Sequence, residues 1–185
     1  MIYFSSDHHF NHKNIIEYCN RDFSSIEKMN DKFVEEWNST VNWNDIVYYL
    51  GDFYFGNNIH GLFKMLNGSI YYLADRHHHD RHWLNNVVKH SPIKMGSVVE
   101  LPPLYTLEAS LERKQVIALC HYPLAVWDRR HYGAWHLHGH IHSHNNSTYK
   151  GQILDVGVDN AYAILGRYKP FSLEEVKTIM KVKND

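Results

Sequence analysis

Apolar and polar positions along this chain alternate in blocks that mark short strands separated by helices. Ile2-Tyr3-Phe4-Ser5 is a β-prone run, with the polar Ser6-Asp7-His8-His9 at its carboxyl end. Ile26, Met29, Phe33, Val34 and Trp37 then recur at helical spacing, and Ser24-Ser25-Ile26-Glu27 reads as the capping box that opens this helix. Asp45 to Leu50 is a buried-strand pattern that stops at Gly51-Asp52-Phe53. Ile59, Leu62, Phe63 and Leu66 predict a short helix closed by Asn67-Gly68. A strand from Ser69 to Ala74 runs into Asp75-Arg76-His77-His78-His79-Asp80-Arg81-His82. The first half therefore reads β-α-β-α-β.

A helix is expected from about Arg81 to Lys89, and then the pattern changes. Ser97 to Leu101, Leu104 to Leu107 and Gln115 to Cys120 look like consecutive strands joined by short turns, the last ending in His121-Tyr122-Pro123. A loop with Trp127, Asp128, Arg129 and Arg130 leads to Trp135-His136-Leu137-His138-Gly139-His140-Ile141-His142. Alternate residues of an extended chain share a side. An extended segment here brings His138, His140 and His142 to one point, with Gly139 letting the backbone bend, and Asp7 and His9 converge in the same way. Ile153 to Val158 is a final strand. Pro170 and the capping box Ser172-x-x-Glu175 open a C-terminal helix with Leu173, Val176, Ile179 and Met180 on its apolar side. Ligands gather outside the carboxyl ends of strands in α/β sheets. The strand ends here carry imidazoles and carboxylates, a donor set suited to transition-metal ions such as zinc, iron or manganese.

Composition narrows the classes. The 185 residues, 44% hydrophobic, suffice for one domain over 1–185 with a substantial core. A net charge of −1 and a pI near 7.0 argue against a general nucleic-acid binder with a broad basic surface, and leave room for a small basic pocket for one phosphate. Sixteen histidines, scattered and mostly internal, are the anomaly. Cys19 and Cys120 lack the spacing of a disulfide framework, so reduced thiols and a cytoplasmic location are expected. Asp7 comes too soon for a signal peptide, and no apolar run approaches the roughly 18 residues of a membrane span.

Asp-x-His, Gly-Asp, a His-Asp loop, His-Tyr-Pro and Gly-His-x-His, in that order, resemble the motif series of the calcineurin-like metallophosphoesterases. The resemblance spans Asp7 to His142, and the tail Leu154 to Asn160 resembles the family's small members, which lack a cap domain. It implies a four-layer α/β/β/α sandwich of two mixed β-sheets, with two divalent metal ions at one end. Manganese stands ahead of iron, zinc or nickel. Asp7, His9 and His142 match the ligands of the first ion, Asp52 the bridging carboxylate, and His121 and His140 ligands of the second.

The third motif departs from the family's Gly-Asn-His-Asp or Glu, because no Asn stands there. In one register His77-His78-His79-Asp80 replaces it, making His78 a metal ligand and His79 the catalytic imidazole at the leaving group. In the other, Asp75-Arg76-His77-His78 aligns and His77 becomes the acid, but the guanidinium of Arg76 has no lone pair for a metal. The first register supplies a competent ligand and is preferred.

The implied activity is a metal-dependent phosphoesterase in which a hydroxide held by two metals attacks phosphorus. With little room for a cap, an open site favours a phosphodiester, a nucleotide or short nucleic-acid end, over a monoester. The alternative is a catalytically impaired scaffold of the same type acting as a binding module. His138 reads as a bystander, and His8, His12, His136 and His144 as supporting or surface groups, with His12 a candidate to line the pocket. Arg81, Arg129 and Arg130 are candidates to grip a phosphate.

Overall fold

Short runs rich in β-branched and aromatic residues account for both sheets; several are buried at nearly every position, and 104–110 alternates between buried and exposed ones. A computed structural model of the chain describes residues 1–56, 59–74, 80, 83, 98–142 and 150–183. Strands β1 (Ile2–Ser5), β2 (Ile46–Tyr49), β3 (Ser69–Leu73) and β4 (Val98–Leu101) are parallel neighbours. The antiparallel β9 (Phe171–Ser172) completes a sheet of order β4-β3-β2-β1-β9. A second mixed sheet, in order, contains β5 (Leu104–Ser110), β6 (Lys114–Cys120), β7 (Trp135–His138) and β8 (Ile153–Asp155). Its hairpin β5–β6 is antiparallel and the other pairs are parallel.

Five helices are described: α1 (Ile15–Tyr18), α2 (Ile26–Asn38), α3 (His60–Met65), α4 (Val158–Leu165) and α5 (Leu173–Val182). The alternation of each strand divides the core. Tyr3, Val47, Tyr49 and Tyr72 pack on one side of the first sheet with Met29, Phe33 and Trp37 of α2. Phe4, Tyr48 and Leu73, on the other side, pack with Leu107, Leu119, Leu137 and Leu154 of the second sheet. The result is an α/β sandwich with the two sheets face to face. On the outer face of the second sheet Ala118 and Ile153 pack against Trp127 and Ala134 of the connecting loop.

Several expectations shift. The helix cap is Ser25 rather than Ser24, its side chain accepting from the Lys28 amide. The strands expected between 97 and 120 are consecutive and joined by short turns, but they divide between the sheets, β4 joining the first and β5 opening the second. Pro102 and Pro103 lie between them, and neither has an amide N–H to continue a ladder. The final strand stops at Asp155, and Gly157 caps the unanticipated α4. The capping box of α5 is present in full, Ser172 accepting from Glu175 and Glu175 from Ser172. The helix expected over 81–89 lies outside the described residues. Among the described residues no helix is long and apolar enough to cross a membrane.

Candidate metal centre

Parallel strands deliver their carboxyl ends to one side, so the polar segments after β1, β2, β6 and β7 meet there. Backbone hydrogen bonds knit them together. The Asp7 amide donates to the Gly51 carbonyl at 3.0 Å, His9 to Asp52 at 3.0 Å, and Gly139 to His121 at 2.9 Å. The His140 amide donates to both oxygens of Asp7, at 3.1 and 3.0 Å. Gly139 is required for close approach rather than for a bend: a Cβ there would collide with Ser6 Oγ and Asp7 Oδ2.

The ligand-type residues have an unusual backbone. Asp7 (φ 61°), His9 (53°), Asp52 (55°), His140 (74°) and His142 (47°) are all left-handed. Such residues cost of order 1–3 kcal/mol each and persist where their surroundings enforce them. Their concentration here means that the loops hold these side chains at the expense of local comfort. It also corrects the expectation of one extended His-x-His-x-His segment. β7 ends at His138, and His140 and His142 follow in a tight turn that sends them to different groups.

Two sets of donor atoms result. Asp7, His9 and His142 form one, and Asp52, His121 and His140 the other, with the donor atoms of each set within 4.8 Å of one another. Asp52 Oδ2 stands between the sets, 3.4 Å from His9 Nε2 and 3.6 Å from His121 Nε2. The first set is enclosed, Asp7 and His9 being buried, while His140 opens the second to solvent. Both ring nitrogens of His9 are buried and make no hydrogen bond. Leaving such a group unsatisfied is costly, and a cation coordinated by one nitrogen offsets part of that cost. The donor chemistry and this imidazole both fit a divalent metal.

Burial raises the Asp7 carboxyl to about 6, and burial holds His9 well below its usual range and hence neutral. His142 behaves oppositely. Burial opposes its charge, but the hydrogen bond between its Nδ1 and Asp159 Oδ2, at 2.7 Å, a hydrogen bond with Cys19 and the charges of Asp7 and Asp159 together outweigh it, and the ring rises to about 11. Asp159 is itself gripped by the buried Arg21, whose Nε and Nη2 each donate at 2.8 Å. Arg21 also donates to the carbonyls of Asp7 and His8, at 2.7 and 2.9 Å. Histidine metal ligands are commonly oriented by such a carboxylate on the far nitrogen. Cys19 joins His142 and Asp159 in a third close group, but Asp159 already has both oxygens engaged by Arg21.

Sequence reasoning missed Arg21 and Asp159 as site residues. It also gave Asp80 no role beyond its place in the third motif. Asp80 is fully buried and accepts from the amides of Phe53 (3.0 Å) and Tyr54 (3.1 Å), from Trp83 Nε1 (2.6 Å) and from the Tyr72 hydroxyl. It thereby clamps the turn that presents Asp52. His78 and His79, and the alternative Asp75 to His77, lie outside the described residues, as do Arg81 and His144.

The other histidines sort by burial. His138 is buried, its Nδ1 2.8 Å from the Gly139 carbonyl oxygen, and it belongs to neither donor set. His136 bridges the Ala118 carbonyl and the Leu124 amide, and burial lowers it to about 4. His8 is not a surface group: it is fully buried among Phe10, Phe33 and Trp37, with Nδ1 2.9 Å from the Tyr49 hydroxyl. His12 stacks on Phe55 at 4.1 Å between ring centroids, and lies 5.5 Å from His9. Arg130 donates to the Ala125 and Lys150 carbonyls and covers the Trp127 ring, so its guanidinium serves the loop.

No family model matches the chain. An uncharacterized protein of Methanocaldococcus jannaschii, MJ1445, is 33% identical over 193 residues, covering 98% of this chain and 93% of the relative. The crystal structure of a protein of unknown function from Aquifex aeolicus, AQ665, matches with a TM-score of 0.69 at 21% identity. That match covers 97% of this chain and 98% of the other, and it shows a shared fold.

Proposed function

The chain belongs to the family of the uncharacterized protein MJ1445, and for this member we propose a metal-dependent phosphoric ester hydrolase of the calcineurin-like type. One observation carries the reading: Asp52 Oδ2 stands between a histidine of each donor set, at 3.4 and 3.6 Å. A carboxylate in that position offsets the repulsion between two neighbouring cations. Asp7, His9 and His142 would hold one cation, and Asp52, His121 and His140 the other. Paired divalent cations supply an acidified water and charge neutralisation for in-line displacement at phosphorus.

The chain's own groups do the positioning. Asp159 fixes the ring of His142, Asp80 fixes the turn of Asp52, and the Asp7 carboxylate is held by the His140 amide. Tyr122, beside His140 with ring centroids 4.7 Å apart, borders the exposed side from which a substrate would enter. His79 is the proposed hydrogen-bond or proton donor to the departing oxygen, and His78 a further ligand of the second cation. The open side favours a phosphodiester, such as a nucleotide or short nucleic-acid end. The preferred ion is manganese, with iron, zinc or nickel as alternatives.

Hydrolysis of bis-p-nitrophenyl phosphate by metal-stripped protein, before and after manganese, tests the proposal. Metal-restored turnover that is absent from Asp52→Asn, and slower turnover of p-nitrophenyl phosphate, are expected. Binding of manganese, nickel or zinc without turnover of either ester would replace the hydrolase with a binding module on the same scaffold.

A further inference from the structure

The parallel strands that carry His121 and His140 at their carboxyl ends border a different feature at their amino ends. A groove of about 750 Å³ is lined there by the β5–β6 hairpin tip, the Arg129–Trp135 segment, Gln152 and the last turns of α5. Strand β6, seven residues long, separates it from the metal-ligand end by roughly 20 Å at the usual rise of a strand. The volume is within the range of small-molecule sites.

Its charge is one-sided. Arg113 and Lys114 come from the hairpin, Arg129 from the loop, and Lys177 and Lys181 from α5, against the single carboxylate of Glu112. Lys177 pairs with Glu112 at 3.1 Å and Lys114 with Glu108 at 3.4 Å. Arg113, Arg129 and Lys181 form no ion pair within 4.0 Å among the described residues, although the charges of Arg113 and Lys181 reach Glu112. In a chain of net charge −1 this concentration of cations stands apart. The cations come from three separate segments that border one groove, an arrangement suited to more than one phosphate group.

The groove also presents an aromatic ring. Trp135, Ala134 and Met180 are buried beneath it and offer a ligand little surface, whereas Tyr132, 90% exposed, stands at its edge. The side chain of Gln115 donates to the Gly133 carbonyl at 2.9 Å and ties the hairpin to the loop that bears Tyr132. Cations from several directions beside an exposed aromatic ring complement several phosphates joined to a planar body that can stack. An exposed tyrosine suits stacking against such a body.

We propose that this groove, at the opposite end of the second sheet from the candidate metal centre, binds a nucleoside polyphosphate. The phosphates pair with Arg113, Arg129 and Lys181, and the base stacks on Tyr132. This site needs no metal and does not depend on the hydrolase reading.

The test is titration of the ¹⁵N-labelled full chain, without added metal, with ADP as the probe. Shifts are expected for residues 111–116, 129–135 and 177–181. Arg113→Glu with Lys181→Glu should weaken ADP binding at least about tenfold, and Tyr132→Ala should weaken it while preserving the folded spectrum. Raised salt should weaken binding in the wild type. Shifts confined to residues 7–9, 52, 121 and 140–142, or unchanged affinity in the charge-reversed variant, would overturn the proposal. Pyrophosphate binding as tightly as ADP would overturn the nucleoside part.

Discussion

Arg21 and Asp159, 138 residues apart, are joined by two hydrogen bonds of 2.8 Å, and through them the loops of the candidate metal centre are tied to α4. The same guanidinium holds the carbonyls of Asp7 and His8, and the same carboxylate holds His142. One buried ion pair thus fixes two members of the first donor set from behind.

Removing one member of that pair leaves its partner charged and buried. Arg21→Ala is expected to destabilise the protein by about 3–5 kcal/mol, measured by urea unfolding. Arg21→Lys should recover only part of this, since an ammonium lacks the fork geometry. An Arg21→Ala protein within about 1 kcal/mol of wild type, the range of an exposed ion pair, would remove Arg21 from this role.

Asp80 carries a comparable prediction. Replacing it with Ala leaves the Phe53 and Tyr54 amides, the Trp83 indole and the Tyr72 hydroxyl without their shared acceptor. At about 1–3 kcal/mol for each stranded group, the expected loss exceeds about 3 kcal/mol. For a chain of this length that lowers the thermal midpoint by at least about 6 °C. A calorimetric scan with an unchanged midpoint would contradict the clamp.

Metal affinity should rise with pH, because the protons on His142, at about 11, and Asp7, at about 6, compete with the cation. Between pH 6 and 10 one proton leaves per ion at the first set, about tenfold in affinity per pH unit, and below pH 6 a second joins it. The metal-free protein has the reverse dependence at His142. Its folded pKa is raised, so its stabilising contribution is complete below about 6.5 and is lost as pH rises through about 11. Chelator-competition titrations across pH 5–9 check the first statement, and a flat profile from 7 to 9 would contradict it.

Much of this arrangement is legible in the chain, for local reasons. Ser172 and Glu175 announce their helix because a capping box is a contact across three residues. The strand-end positions of Asp7, Asp52 and His121 follow from where hydrophobic runs stop. The pairing of Arg21 with Asp159 leaves no such signal, since neither residue belongs to a periodic pattern that refers to the other. The left-handed turns at His140 and His142 were equally hidden, because Gly139, the apparent bending point, has no positive φ and the histidines beside it do. The switch of sheets between β4 and β5 is marked only by Pro102-Pro103, since strands of either sheet have the same apolar texture.

Metal counting tests most directly whether two divalent cations share Asp52. Manganese bound per chain should be measured by equilibrium dialysis with elemental analysis, on wild type, Asp52→Asn and His142→Ala, with folding checked by circular dichroism. Two ions in the wild type, a single retained ion in His142→Ala, and weakened binding of both in Asp52→Asn are predicted. A folded wild type that binds one ion or none, or an Asp52→Asn protein that binds two as tightly as wild type, would contradict the shared centre.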